Sequence, residues 1–176
     1  RLEASLKRAE SRGKIESADA VLANIRVVDD LTELADRDMV IEAIIEDEQA
    51  KTDLFRRLDE IVTSPEAILA SNTSSIPIMK LAVATKRPTH VLGVHFFNPV
   101  PVLKLVELVP SLMTAEATTE RARGFVQDDL GKNAIDCQDR AGFVVNALLI
   151  PVHPLGDPDA RVGASPRPRT RPGFVL

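Results

Sequence analysis

The 176 residues contain no tryptophan, no tyrosine and a single cysteine, Cys137. With one cysteine no internal disulfide can form and no thiolate metal site can be assembled, which fits a reducing compartment. The three histidines, at 90, 95 and 153, lack a paired ligand spacing. No apolar run approaches the ~20 residues of a membrane-spanning helix. The charged amphipathic start at residues 1–12 is not a secretory signal. The expected setting is therefore the cytoplasm, away from membranes. A formal net charge of −4 leaves no footprint for nucleic acid. Glycines stand at 13, 93, 124, 131, 142, 156, 163 and 173, so no Gly-x-Gly-x-x-Gly phosphate turn exists.

What is present is ordinary for one folded domain: 44% hydrophobic and 27% charged residues, with Ala, Val, Leu and Ile as the apolar mass. The composition then breaks. Residues 151–176 hold six of the twelve prolines and four arginines against two aspartates. That stretch is net +2, leaving residues 1–150 at −6 against −4 for the whole chain. With a proline about every four residues it cannot propagate a helix and has little to bury, so disorder is expected over 152–176.

The remainder alternates between two periods. Helical spacing marks residues 1–12, ended by Gly13, and 18–23, capped by Ser17 and ended by Asn24. Residues 25–28 read as a short β-branched strand and 31–35 as a helical turn. A buried strand is expected at 39–45 and a helix from Glu46 to about residue 62, its three leading acids favoured by the helix dipole. A strand at 67–70, a polar turn at 71–75 and a helix to about residue 84 follow, with Ser75 as N-cap. Further strands are expected at 91–95, 103–109 and 134–137. A helix capped by Thr114 fills 115–130, and another starts at 141–150. Strands alternating with helices indicate a parallel sheet with crossover helices, whose ligands gather at the carboxyl ends of the strands.

Polar clusters occupy those ends. His95 closes an apolar strand, and Glu107 sits in the next strand, twelve residues on. A strand–loop–strand return brings the two together. A carboxylate beside an imidazole orients the ring and stabilises its charged form, as a general base near neutral pH requires. The same residues also suit a structural histidine with a solvent-facing glutamate. Residues 71–75 offer hydroxyls and an amide that can bind a substrate oxygen or simply cap a helix. Glu46, Asp47 and Glu48 read as helix-start acids rather than Mg²⁺ ligands, so no metal is expected.

Four phrases taken together, VIEAIIEDEQAK (40–51), ASNTSSIPI (70–78), GVHFFNPVPVLKLVELV (93–109) and DRAGFVVNALLIP (139–151), closely resemble the NAD-dependent 3-hydroxyacyl-CoA dehydrogenases. The branch they resemble is that of the 3-hydroxybutyryl-CoA dehydrogenases of fatty acid metabolism and β-oxidation, and the likeness covers roughly residues 1–151. It implies NAD as cofactor, an acyl-CoA as substrate and hydride transfer from its C3 alcohol carbon. It also implies His95 as catalytic base and Glu107 as its carboxylate partner. By the same resemblance Ser74 and Asn146 stand near the substrate oxygens, and Asn98 near His95 and the nicotinamide. Glu46 and Lys51 line the NAD site, which Ser74 also borders. Ser5 and Arg12 fall near positions that touch CoA.

The resemblance also implies a division of the chain. Residues 1–138 are expected to be a partial NAD-binding Rossmann domain, an incomplete doubly wound α/β sheet lacking its first βαβ strands. Residues 139–151 are expected to begin a helical domain, which in the family forms the homodimer. The tail beyond reads as a reading-frame error or degenerate gene end. The expectation is a truncated dehydrogenase, weakly active or inactive by itself. The alternatives are a non-catalytic relative, such as a pseudogene product or a CoA- or partner-binding module, and a module of a larger multifunctional fatty-acid oxidation protein.

Overall fold

The computed structural model describes residues 2–140 and 142–149; the expected tail at 152–176 and the first and last residues of the helix expected at 141–150 lie outside them. Two compact units result, one over Arg1–Glu33 and one from Leu34 onward. Among the described residues no helix is long and apolar enough to cross a membrane.

In the first unit, helix α1 (Leu2–Ser11) carries a Glu3–Lys7 pair one turn apart, 2.7 Å between the charged atoms. Gly13, at φ +65°, ends it. Helix α2 (Ala18–Ala23) begins where the Ser17 hydroxyl accepts from the Ala20 N–H at 3.2 Å. Residues 25–28 form no strand. A β-branched run becomes a strand only through a neighbour's ladder, and none pairs with it among the described residues; Val27 is exposed.

The second unit is a five-stranded sheet in the order β1 (Met39–Glu42), β2 (Ile68–Ser71), β3 (Val91–Phe96), β4 (Leu105–Pro110) and β5 (Asn133–Asp136). The β1–β2, β2–β3 and β4–β5 pairs are parallel, and β3–β4 is antiparallel. A parallel crossover needs about a dozen residues or more, so the short connection 97–104 can only turn the chain back. Helices α3 (Glu48–Ile61), α4 (Ile78–Ala82), α5 (Glu116–Gly124) and α6 (Val145–Leu149) complete the unit.

Side chains alternate across a strand, so each face has its own residues. Ile68, Ala70, Leu92, Val94, Val106 and Leu108 share one face and pack with Ala122 of α5 and Val126 of the π turn after it. Gly93, His95, Glu107 and Val109 share the other, beneath α4. A Cβ on Gly93 would stand 2.9 Å from the Val109 Cβ and 3.0 Å from the Ile78 Cδ1, so α4 sits this close only over glycine. The mainly parallel sheet with helices on both faces is the Rossmann-like α/β arrangement expected.

Several boundaries move, each because a polar side chain is engaged elsewhere. β1 stops at Glu42 because the Ile44 N–H turns back to the Glu42 carboxylate at 2.6 Å. α3 starts at Glu48, with Asp47 as its cap, because Glu46 reaches across to residues 73–75. Ser75 does not cap α4. Asp139, some sixty positions later, takes the Ile78 and Met79 N–H groups at 2.7 and 2.8 Å. Thr114 does not cap α5 either, since its hydroxyl donates to the Val91 carbonyl.

Candidate active site

The antiparallel β3–β4 register places His95 directly opposite Glu107. Cross-strand partners project to the same face, so the sheet itself brings imidazole and carboxylate together. His95 Nδ1 lies 2.7 Å from Glu107 Oε2. Both residues are buried, Glu107 completely. An ionised carboxylate only accepts, so Nδ1–H is the donor and Nε2 keeps its lone pair free to accept a proton. The second carboxylate oxygen, Oε1, accepts from the Val144 N–H at 3.1 Å and the Val145 N–H at 2.9 Å. Glu107 is thus held at both oxygens, and the ring it holds cannot swing freely.

Aromatic rings close the pocket around the imidazole. Phe97 stands edge-on to His95 with centroids 4.7 Å apart, and Phe143 does the same at 5.6 Å. Phe143 adopts φ +47°, a left-handed conformation that costs a non-glycine residue roughly 1–2 kcal/mol. That turn is what aims the next two N–H groups at Glu107. Cys137 is buried close by. Burial, then the Glu107 charge and a hydrogen bond to Glu107, push its thiol up to about 12, so it stays a protonated thiol rather than a nucleophile.

A second cluster lies at the carboxyl ends of β1 and β2. One oxygen of Glu46 accepts from the Thr73 hydroxyl, from the Ser74 N–H at 3.0 Å and from the Ser75 hydroxyl at 3.0 Å. Its other oxygen meets Lys51 Nζ at 3.3 Å. Burial works to raise the Glu46 carboxyl, but the Thr73 hydroxyl, the Ser74 amide, the Lys51 charge and the Ser75 hydroxyl outweigh it and hold the group below its ordinary value. Asn72 ties this cluster to β3: its N–H donates to the Glu42 carbonyl and its side-chain oxygen accepts from the Phe96 N–H at 2.9 Å.

Ser74 is half-buried in this turn, and its hydroxyl makes no hydrogen bond among the described residues. Asn98 is exposed in the loop just after β3 and is likewise uncommitted. Asn146 is half-buried in α6, the residue after Val145, whose N–H sits on Glu107. Ser5 and Arg12 occupy exposed positions in the first unit. Among the described residues no three His, Cys, Asp or Glu side chains gather as metal ligands. The residues not expected from sequence are Glu42 and Asp139, while Asn72 and Thr73 belong to the polar turn 71–75 expected there. Glu42 gave one signal, an acid inside the apolar run MVIEAII.

The family model "3-hydroxyacyl-CoA dehydrogenase, NAD binding domain" matches residues 1–140. The chain belongs to the 3-hydroxyacyl-CoA dehydrogenase family. A 3-hydroxybutyryl-CoA dehydrogenase of Mycobacterium tuberculosis is 56% identical over 153 residues, covering 86% of this chain and 54% of that protein. The mitochondrial hydroxyacyl-coenzyme A dehydrogenase of Sus scrofa is 48% identical over 114 residues, covering 65% of this chain and 36% of that protein. The crystal structure of M. tuberculosis FadB2 superposes with a TM-score of 0.81 at 56% identity, covering 84% of this chain and 52% of that one. The chain thus spans about half the length of the bacterial relatives it matches. Its matching portion is the family's NAD-binding domain, and the family's members are oxidoreductases.

Proposed function

We propose that this chain carries the proton-transfer machinery of an NAD-dependent 3-hydroxyacyl-CoA dehydrogenase of 3-hydroxybutyryl-CoA type. The observation that supports it best is the buried His95–Glu107 pair, fixed by register at the exit of β3. His95 Nε2 takes the proton of the substrate's 3-hydroxyl as the alcohol becomes a ketone. Glu107 stabilises the imidazolium that forms, and the Val144 and Val145 N–H groups keep the carboxylate in place. In the reverse direction His95 returns that proton to the oxygen. Phe97 and Phe143 keep water from the ring. Ser74 and Asn146 supply hydrogen bonds to substrate oxygen.

NAD⁺ supplies the hydride acceptor when bound. Its nicotinamide ribose and carboxamide offer hydroxyls and an amide, and the donor and acceptor set of Glu46, Ser74 and Asn98 at the strand ends fits them. The sequence holds no glycine-rich pyrophosphate turn, so the fit concerns the nicotinamide side. Ser5 and Arg12 are proposed CoA contacts, Arg12 through its positive charge. Residues 1–138 are assigned to the NAD-binding part and 139–151 to the start of a helical domain, supported by the turn at Gly142 between β5 and α6. A cytoplasmic setting without a membrane or nucleic-acid partner completes the reading, the net charge of −4 supporting the last of these; the family's homodimer rests on a domain largely absent from this chain.

The test is NADH oxidation with acetoacetyl-CoA by the purified chain, and by the M. tuberculosis relative carrying residues 39–149 of this chain in place of its own. The graft should turn over, and His95→Ala should lower kcat by roughly 10²–10⁴-fold. A graft without activity, or one indifferent to His95→Ala, overturns the proposal.

A further inference from the structure

Behind the strand ends lies a polar system, buried except at Glu46, of which the proposed chemistry uses only Glu46. Glu42 Oε1 meets Lys51 Nζ at 2.6 Å, and Glu42 Oε2 accepts from the Ser71 hydroxyl at 2.7 Å. The Ser71 oxygen accepts from the Thr73 N–H at 3.1 Å. The Thr73 hydroxyl donates to Glu46, and the other oxygen of Glu46 returns to Lys51. The contacts close on themselves: Glu42, Ser71, Thr73, Glu46, Lys51 and back to Glu42. Glu42, Ser71 and Thr73 are fully enclosed, and Lys51 is 1% exposed.

We propose that Glu42 is a positioning residue, which closes this ring through Lys51 and thereby fixes the Ser74 turn and the Glu46 carboxylate toward the cofactor. The resemblance to the family implies Lys51 in the lining of the NAD site, and its geometry ties that lining to Glu42. An ammonium has three donors, and here they face Glu42 Oε1, Glu46 Oε2 and, at 3.5 Å, the Ile44 carbonyl. Lys51 therefore links Glu42 to Glu46. Glu42 is the member with most at stake. Its carboxylate takes the Lys51 charge, the Ser71 hydroxyl and the Ile44 N–H, so it joins the exit of β1, the first turn of α3 and the exit of β2. Thr73 passes this to the loop: its hydroxyl oxygen accepts from the Ser75 and Ile76 N–H groups at 3.3 and 3.0 Å. The Ser74 backbone is then pinned to Glu46 while the Ser74 hydroxyl stays uncommitted. Glu42, Ser71, Thr73 and Lys51 are shielded from water, and a network satisfied at its buried members rigidifies.

The role toward NAD rests on the function proposed above, but the ring can be tested without turnover. The chain is acetylated with acetic anhydride in the absence of cofactor and mapped by mass spectrometry, and amide exchange is followed in parallel. Lys51 should react at least about tenfold slower than the exposed Lys86 and Lys104, and Glu42→Gln should remove most of that protection and speed Ser74 amide exchange about tenfold. The Leu92 and Leu108 amides should keep their protection. Thr73→Val should speed Ser74 exchange and move the Glu46 carboxyl ¹³C titration to higher pH while leaving Lys51 unreactive, and Thr73→Ser should restore both. Lys51 labelling as fast as Lys86 in the unaltered chain would overturn the ring. So would Ser74 exchange and Glu46 titration that ignore Thr73→Val. If Glu42→Gln loses the Leu92 and Leu108 protection, the unaltered chain and the two Thr73 variants decide. An intact ring in a graft without dehydrogenase activity would refute only the functional reading.

Discussion

The two polar clusters at the sheet edge are held in place by different means. His95 and Glu107 face each other because their strands are in register, and the backbone ladder of β3 and β4 would place them so whatever the loops did. Glu46 and the Ser74 turn lie on irregular backbone after β1 and β2, where side chains supply the order. A site built on a ladder tolerates the loss of one distant side chain, whereas a site built on a closed polar ring loosens at the members next to each cut. The first arrangement suits a proton donor and acceptor that must keep one geometry. The second suits a surface whose hydroxyl has to remain available to a ligand.

Cutting the ring at its cation should have the largest effect. Lys51→Met leaves the Glu42 carboxylate buried without its counter-charge, which costs about 3–5 kcal/mol when a buried pair is broken. Urea unfolding should show that loss, while the downfield His95 Nδ1–H resonance should persist under native conditions. A lost resonance would mean that the two clusters are not separately held. The converse cut is smaller. Gly93→Ala drives a methyl against Val109 and Ile78, an overpacking worth about 1–3 kcal/mol, and it should disturb the His95 resonance while Lys51 stays protected from acetylation.

The same contrast decides what could be seen in the sequence. The pairing of His95 with Glu107 follows from an apolar strand ending in histidine, a short return and an acid in the next strand. That is local information, and the register converts it directly into a contact. The two-period alternation likewise yields every strand of the sheet. The ring is not visible in this way, because it joins residues 42, 51 and 71 through folding alone. Its one trace is an acid among apolar neighbours at Glu42. The caps fail for the same reason. Ser75 and Thr114 have good capping chemistry, but Asp139 arrives at α4 from the segment after β5, and the Thr114 hydroxyl goes to Val91. Residues 25–28 have strand composition without a partner, and composition alone does not make a ladder.

Asp139 touches neither cluster, so it gauges how far each depends on its surroundings. Asp139→Ala removes the acceptor of the Ile78 and Met79 N–H groups, a capping loss of about 0.5–2 kcal/mol. Those two amides should exchange faster, and thermal unfolding should move down. Lys51 protection should be unchanged. Exposure of Lys51 in this variant would show that the ring leans on α4 and is not self-contained.

The smallest effect expected is one of pH, and its sign separates the clusters most cleanly. The Glu46 carboxyl lies below its ordinary value in the folded chain because the Thr73, Ser74 and Ser75 donors and the Lys51 charge outweigh the opposing effect of burial. The unfolded chain therefore takes up the proton first as pH falls. The stability that Glu46 contributes is fully present above the unfolded value of about 4.5 and is lost as pH drops through the lower folded value. Glu46 is partly open to solvent, so the contribution is small. Acidification should accordingly release the Ser74 amide before the sheet unfolds, and Glu46→Gln should flatten that part of the pH profile. Amide exchange between pH 6 and pH 3 reads both, about three units being enough to span the ordinary carboxylate range. If Ser74 and the Leu108 amide lost protection together, the strand ends would be one cooperative unit with the sheet, and the distinction between a ladder-built and a ring-built cluster would fall.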